Sequence, residues 1–220
     1  MNKILDNWEY LAVSSTALIP FIFAIKKLSC LGFAYKLIGL HSVFALIIEG
    51  VSFYLALFIG PNHYLFHIDT LLQGVCLLLF YFFLTKHKKL KYILPSALIL
   101  LLLVELIEII YVSGIFQYNS ITRSYLSFIM SALSIYHLLK LRKNTAIRQV
   151  VSQPLFWFNA AILTYFSLNF LIFFFGFKLS QTSMLEFIFN HWIHLIILIV
   201  SRILFAIGFY KVPKTRPLWS

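Results

Sequence analysis

The chain has 220 residues, 61% hydrophobic and only 11% charged, with a mean hydropathy of +0.92. Soluble domains average about 45–50% apolar and about 25% charged residues, so a water-soluble core of this length could not absorb so much apolar side chain. A net charge of +11 would suit nucleic acid only on a hydrophilic domain; the basic residues instead sit in short segments between apolar runs, which excludes that class and leaves an integral membrane protein.

Crossing a hydrocarbon core of about 30 Å takes about 20 apolar residues. Such runs, broken at charge clusters and turn residues, predict spans at 8–27, 36–59, 64–85, 92–113, 119–140, 154–177 and 183–210. The expected fold is all-α: one seven-transmembrane-helix bundle, a single polytopic membrane domain over 1–220. No small-residue cleavage site follows the first apolar run, so that span is expected to be retained. The second carries Glu49 near its middle and ends at Gly60-Pro61-Asn62, a strong turn signal. The third opens with His63 and His67 at i, i+4 spacing and holds Asp69, with Gln73 and Cys76 on the Asp69 face. Cys30 and Cys76 are too far apart in the topology to pair.

The fourth span places Glu105 and Glu108 near its middle, on neighbouring positions of one face. In the fifth, Ser120, Ser124, Ser127, Ser131 and Ser134 stay within about 40° of one line, a spacing that lets helices approach closely. Ser152 and Pro154 read as an N-cap and first-turn proline for the aromatic-rich sixth span, with Trp157 and Tyr165. The seventh contains Asn190, His191, His194 and Arg202 among Ile, Leu, Val and Phe. At about 100° per residue these polar groups, with Ser183, Ser201 and Gly208, fall on one stripe about 120° wide. That stripe is expected to face the bundle interior or a watery cavity.

Orientation follows from lysine and arginine. With the N-terminus outside and the C-terminus inside, fourteen of them fall in inner segments and three (Lys3, Arg123 and Lys178) outside, a decisive bias. Ionised groups cost about 2.5–3.5 kcal/mol at a helix centre on insertion scales, so the buried ones need a reason. Arg202 either snorkels to the inner headgroups or pairs with a buried carboxylate. The carboxylates must be protonated, paired across helices or in water.

A retinal protein needs a Schiff-base lysine in its seventh span, and no lysine precedes Lys211 there. A zinc hydrolase could draw on His63, His67, His191 and His194 with Asp69. The seventh-span histidines are three apart, however, not at the HxxxH spacing of ceramidase-like and adiponectin-receptor-like enzymes. No cofactor and no catalytic group is therefore expected. A proton- or ion-coupled transporter could use the buried carboxylates and histidines as a relay.

The segment "QPLFWFNAAILTYFSLNFLIFFF" from Gln153, followed by "NHWIH" and "SRILFAIGFY", resembles uncharacterised seven-helix membrane proteins of Bacteroidota-type bacteria. Those resemble the membrane domains of sensor histidine kinases. The likeness is sharpest over Pro154–Phe166; no kinase domain appears in this sequence, and Asn159-Ala160-Ala161 stands where the group has a glycine. The resemblance implies a sensory or accessory module in a bacterial inner membrane. The expected function is sensing or signal relay through a polar pocket of Glu49, Asp69, Glu105, Glu108, His191, His194 and Arg202. Its expected partners are the bilayer, a cytoplasmic signalling protein on the basic inner loops and a second copy of the chain.

Overall fold

The computed structural model describes residues 8–60, 62–112, 114–144, 147–179 and 184–213. Among these the regular structure is entirely helical. The order is α1 (Trp8–Ser15), α2 (Leu18–Lys27), α3 (Phe33–Phe58), α4 (Tyr64–Leu84), α5 (Lys88–Ile107), α6 (Ser120–Asn144), the single turn α7 (Ile147–Val150), α8 (Pro154–Leu179) and α9 (Met184–Tyr210). A π-helical turn, Glu108–Val112, continues α5. Seven stretches are long and apolar enough to cross a membrane: Leu11–Cys30, Phe33–Phe58, Tyr64–Leu84, Lys88–Val112, Ser120–Lys143, Pro154–Ile172 and Trp192–Tyr210. Ile93, Ile99, Leu102, Leu103 and Leu106 of α5 are all exposed, which suits lipid and would be a large apolar patch in water. The chain is thus built as a multi-pass membrane protein.

Three local features differ from the expected pattern. The first span is not one helix. Pro20 has no N–H to give the Thr16 carbonyl, and the chain tightens into short turns: Thr16 N–H to Val13 O (2.9 Å), Ala17 N–H to Ser14 O (3.0 Å) and Ile19 N–H to Thr16 O (3.1 Å). Those turns separate α1 from α2. The fourth span begins earlier than expected, because Lys88, Lys89 and Lys91 lie in the first turns of α5. A helix need not stop where lipid does, and long basic side chains reach back to water. Ser152 does not cap α8; its hydroxyl donates to Gln149 O at 2.7 Å. The turn at Gly60 is as expected, with a φ of +134° that only glycine adopts without strain.

The helices close into a bundle in which α8 packs between α6 and α9, α9 lies against α2, and α3 packs on α4. The α6 serines serve this packing: Ser120, Ser124, Ser127 and Ser134 are buried, and Ser124, Ser131 and Ser134 donate to carbonyls one turn back in their own helix. One half of the bundle has a dense core around the fully buried Phe80, Tyr81, Phe158 and Phe209. There α9 comes so close to α8 that a Cβ on Gly208 would lie 2.6 Å from Phe158 Cε1. At that end of the bundle Lys26, Lys36, Lys86, Lys88 and Lys89 are exposed, and it is termed the basic end below. The opposite half is hollow.

Candidate functional site

A cavity of about 610 Å³ occupies that half, bounded by the α1–α2 joint, α3, α4, α6, α8, α9 and the connection before α6. Its lining runs along α3 from His41 to Leu57, about 24 Å at 1.5 Å per residue. Ser42, Ala45, Glu49, Ser52 and Ala56 all line it. They recur at alternating three- and four-residue spacing, so one face of α3 is small and polar where its neighbours recede. Ile48, Phe53, Leu57, Phe66, Leu195 and Leu198 supply apolar wall. The volume and the mix of apolar wall with a few convergent polar groups are those of a small-molecule site.

Two ion pairs stand on the wall. Arg202 of α9 donates through Nη2 to Glu49 Oε1 of α3. Its Nη1 donates to Val13 O at 2.5 Å and to Thr16 Oγ1 at 2.7 Å, so one guanidinium holds α3, α9 and the break in the first span together. On the facing helices Arg123 of α6 donates through Nη2 to Asp69 Oδ2 of α4 at 3.0 Å. Gln73 Nε2 donates to the same oxygen at 2.8 Å. Arg123 also donates to Asn119 Oδ1 (3.2 Å), Tyr118 OH (3.4 Å) and Phe66 O (3.4 Å). It lies 5.2 Å from the Phe66 ring centre and 5.3 Å from that of Tyr118, a cation between two π faces. Burial pushes the Tyr118 phenol up, against the pull of Arg123. Charges this deep persist only when so partnered.

Of the residues expected in one pocket, Glu49, Asp69, His194 and Arg202 meet at this cavity. His194 Nδ1 donates to Asn169 Oδ1 at 2.6 Å, which fixes its tautomer because Asn169 Nδ2 is turned to Tyr165 O. The side chains of Ser183, Asn190 and His191 lie outside the described residues. Glu105 and Glu108 do not line the cavity. Both are sealed between α4, α5 and α6. Glu108 accepts from Ile121 N–H (3.0 Å), Thr122 N–H (2.7 Å) and Thr122 Oγ1 (2.7 Å), so it caps the start of α6, where the helix dipole favours an anion. Glu105 Oε1 meets His67 Nδ1 at 2.5 Å, with side chains only 3% and 4% exposed. His67 Nε2 faces the carbonyl of Gln117 at 3.0 Å. A carbonyl only accepts, so Nε2 carries a proton and a second proton is shared between Nδ1 and Glu105.

Of the candidate metal ligands, His63 and His194 line the cavity with Asp69, His67 is engaged with Glu105, and the His191 side chain lies outside the described residues. Among the described residues no three His, Cys, Asp or Glu side chains are grouped as a metal site. Sequence reasoning missed Arg123, His41 and Tyr118, which all line the cavity. Arg123 read as an outer-segment charge, although it stands in the first turn of α6 and its helix enters the apolar run at once. The polar stripe on α3 was legible as spacing, and His41 stands beside its first member. No known protein family, curated protein or solved structure matches the chain.

Proposed function

We propose that the protein is a ligand-responsive relay in a bacterial inner membrane, N-terminus outside, which binds a small molecule in the bundle cavity and signals to a cytoplasmic partner at the basic end. The observation that carries this reading is the three-way hold of Arg202. A ligand that disturbs the Arg202–Glu49 pair also disturbs the α1–α2 joint and α9, because one side chain serves all three. Both elements run on to the basic end, where Lys27 Nζ donates to Val212 O at 2.5 Å. A change at the cavity therefore has a rigid route, through α2 and α9, to the exposed lysines.

A second reading, a proton- or ion-coupled transporter of small solutes, is favoured by the broken first span beside the cavity. Discontinuous helices that present backbone carbonyls to a central site are a transporter device. Purified protein in lipid vesicles carrying a pH-sensitive dye, assayed beside partner recovery from native membranes, separates the two. The relay predicts no flux above empty vesicles and a severalfold change in partner recovery with Glu49→Gln. Solute-driven flux that Glu49→Gln abolishes would replace the relay with the transporter.

A further inference from the structure

We infer that the cavity selects a cationic head: its ligand is a primary amine, protonated, on an apolar body of modest size. The inference rests on reading the cavity as a ligand site and deepens it. What matters is which polar atoms on the wall are already satisfied. Arg123 donates to protein acceptors with all three of its nitrogens, and Arg202 does so with both terminal ones. Of the nitrogens of these two guanidiniums, only Arg202 Nε lacks an acceptor among the described residues. An anionic head would find one free guanidinium N–H beside uncharged donors, and would have to break an existing ion pair to gain another charged one.

The acceptors are in the opposite condition. Among the described residues each carboxylate is engaged through one oxygen: Glu49 through Oε1, and Asp69 through Oδ2, which takes both Arg123 and Gln73. Glu49 Oε2 and Asp69 Oδ1 accept no hydrogen bond from the described residues. Both residues line the cavity, and their side chains keep 26% and 15% of their exposure. His41 and His63, also on the lining, make ring contacts with Phe205 and Phe66 but no hydrogen bond among the described residues. Neutral imidazoles can accept from an ammonium group. Phe53, Phe66, Tyr118 and Tyr165 add π faces, and two of them already hold a cation in Arg123. Open carboxylate oxygens, engaged guanidiniums and aromatic walls together favour an ammonium with its hydrogen-bond donors over a carboxylate.

Three probes share one apolar body and differ in the head: 2-phenylethylammonium, 2-phenylethanol and 3-phenylpropanoate. Their binding to the full chain in zwitterionic-lipid nanodiscs, measured by ligand-observed NMR against empty discs, should rank in that order. The ammonium is expected to saturate at a concentration at least tenfold below that of the propanoate. Glu49→Gln and Asp69→Asn should each shrink that preference severalfold, while Leu198→Trp, which places a bulkier side chain on the cavity wall, should weaken all three signals. The wild-type ranking stands as a test even if a variant does not fold. Propanoate binding as well as or better than the ammonium overturns the head-group inference; if Leu198→Trp weakens that signal, the cavity itself remains a ligand site. A preference that survives in both carboxylate variants overturns the assignment to Glu49 and Asp69. No saturable binding of any probe, or binding unchanged in folded Leu198→Trp, overturns the cavity reading together with the inference.

Discussion

The hollow half of the bundle and the wedge between α4, α5 and α6 hold two carboxylates each, and the two regions use them in opposite ways. Glu49 and Asp69 are tied to arginines through one oxygen and keep the other toward open space. Glu105 and Glu108 are enclosed by protein, one against an imidazole and one against the first turn of a helix. Depth in the membrane therefore establishes that a carboxylate has a partner, and not that it has a ligand. What distinguishes the two regions is where the oxygen left over lies: those of Glu49 and Asp69 belong to cavity-lining residues, whereas Glu105 Oε2, which also accepts no hydrogen bond from the described residues, is buried.

The largest effect that would test this contrast is on stability. Glu108→Ala strands the N–H groups of Ile121 and Thr122 and the Thr122 hydroxyl, and buried unsatisfied donors cost about 1–3 kcal/mol each. A loss of about 3 kcal/mol should lower the unfolding midpoint by about 6–12 °C for a chain of this size, read by thermal unfolding in detergent. A change of less than ~2 °C would mean that the cap is not structural. An intermediate effect is expected from a double-mutant cycle on the cavity wall. Glu49→Gln and Arg202→Gln should each destabilise, and together destabilise less than their sum, with a coupling of about 1–3 kcal/mol. Additivity would sink the pair as a fixed element of the wall. The smallest effect belongs to Glu105→Gln. With Nε2 of His67 protonated toward Gln117, a glutamine amide can donate to Nδ1 in place of the shared proton, and stability should fall by about 1 kcal/mol or less, a midpoint shift of about 2–4 °C at most. A much larger loss would show that the pair is ionic and that His67 needs the negative charge.

The architecture was legible because lipid imposes it: each apolar run must be long, helical and punctuated by charge or turn residues. The need of Glu49 and Arg202 for partners was legible too, since neither could stand ionised alone at that depth. Which carboxylate met which cation was not. Glu108 finds the start of α6 only because the connection after the π-helical turn folds back, a three-dimensional event that periodicity does not encode. Pro20 was in plain view, yet its consequence, a broken first span whose turns are held by Arg202, needed both ends of the chain. Arg123 illustrates the reverse problem. Counting it as a topology charge was reasonable for its position and concealed that it points inward.

Arg202 contacts Val13, Thr16 and Glu49 across 189, 186 and 153 residues of chain. During synthesis the first two spans are made early and the seventh last. Until α9 arrives, Glu49 must wait neutral or hydrated, and the turns around Thr16 have no guanidinium to hold them. The same arginine thus acts as a closing stitch, and a chain halted before it would leave Glu49 without its guanidinium partner.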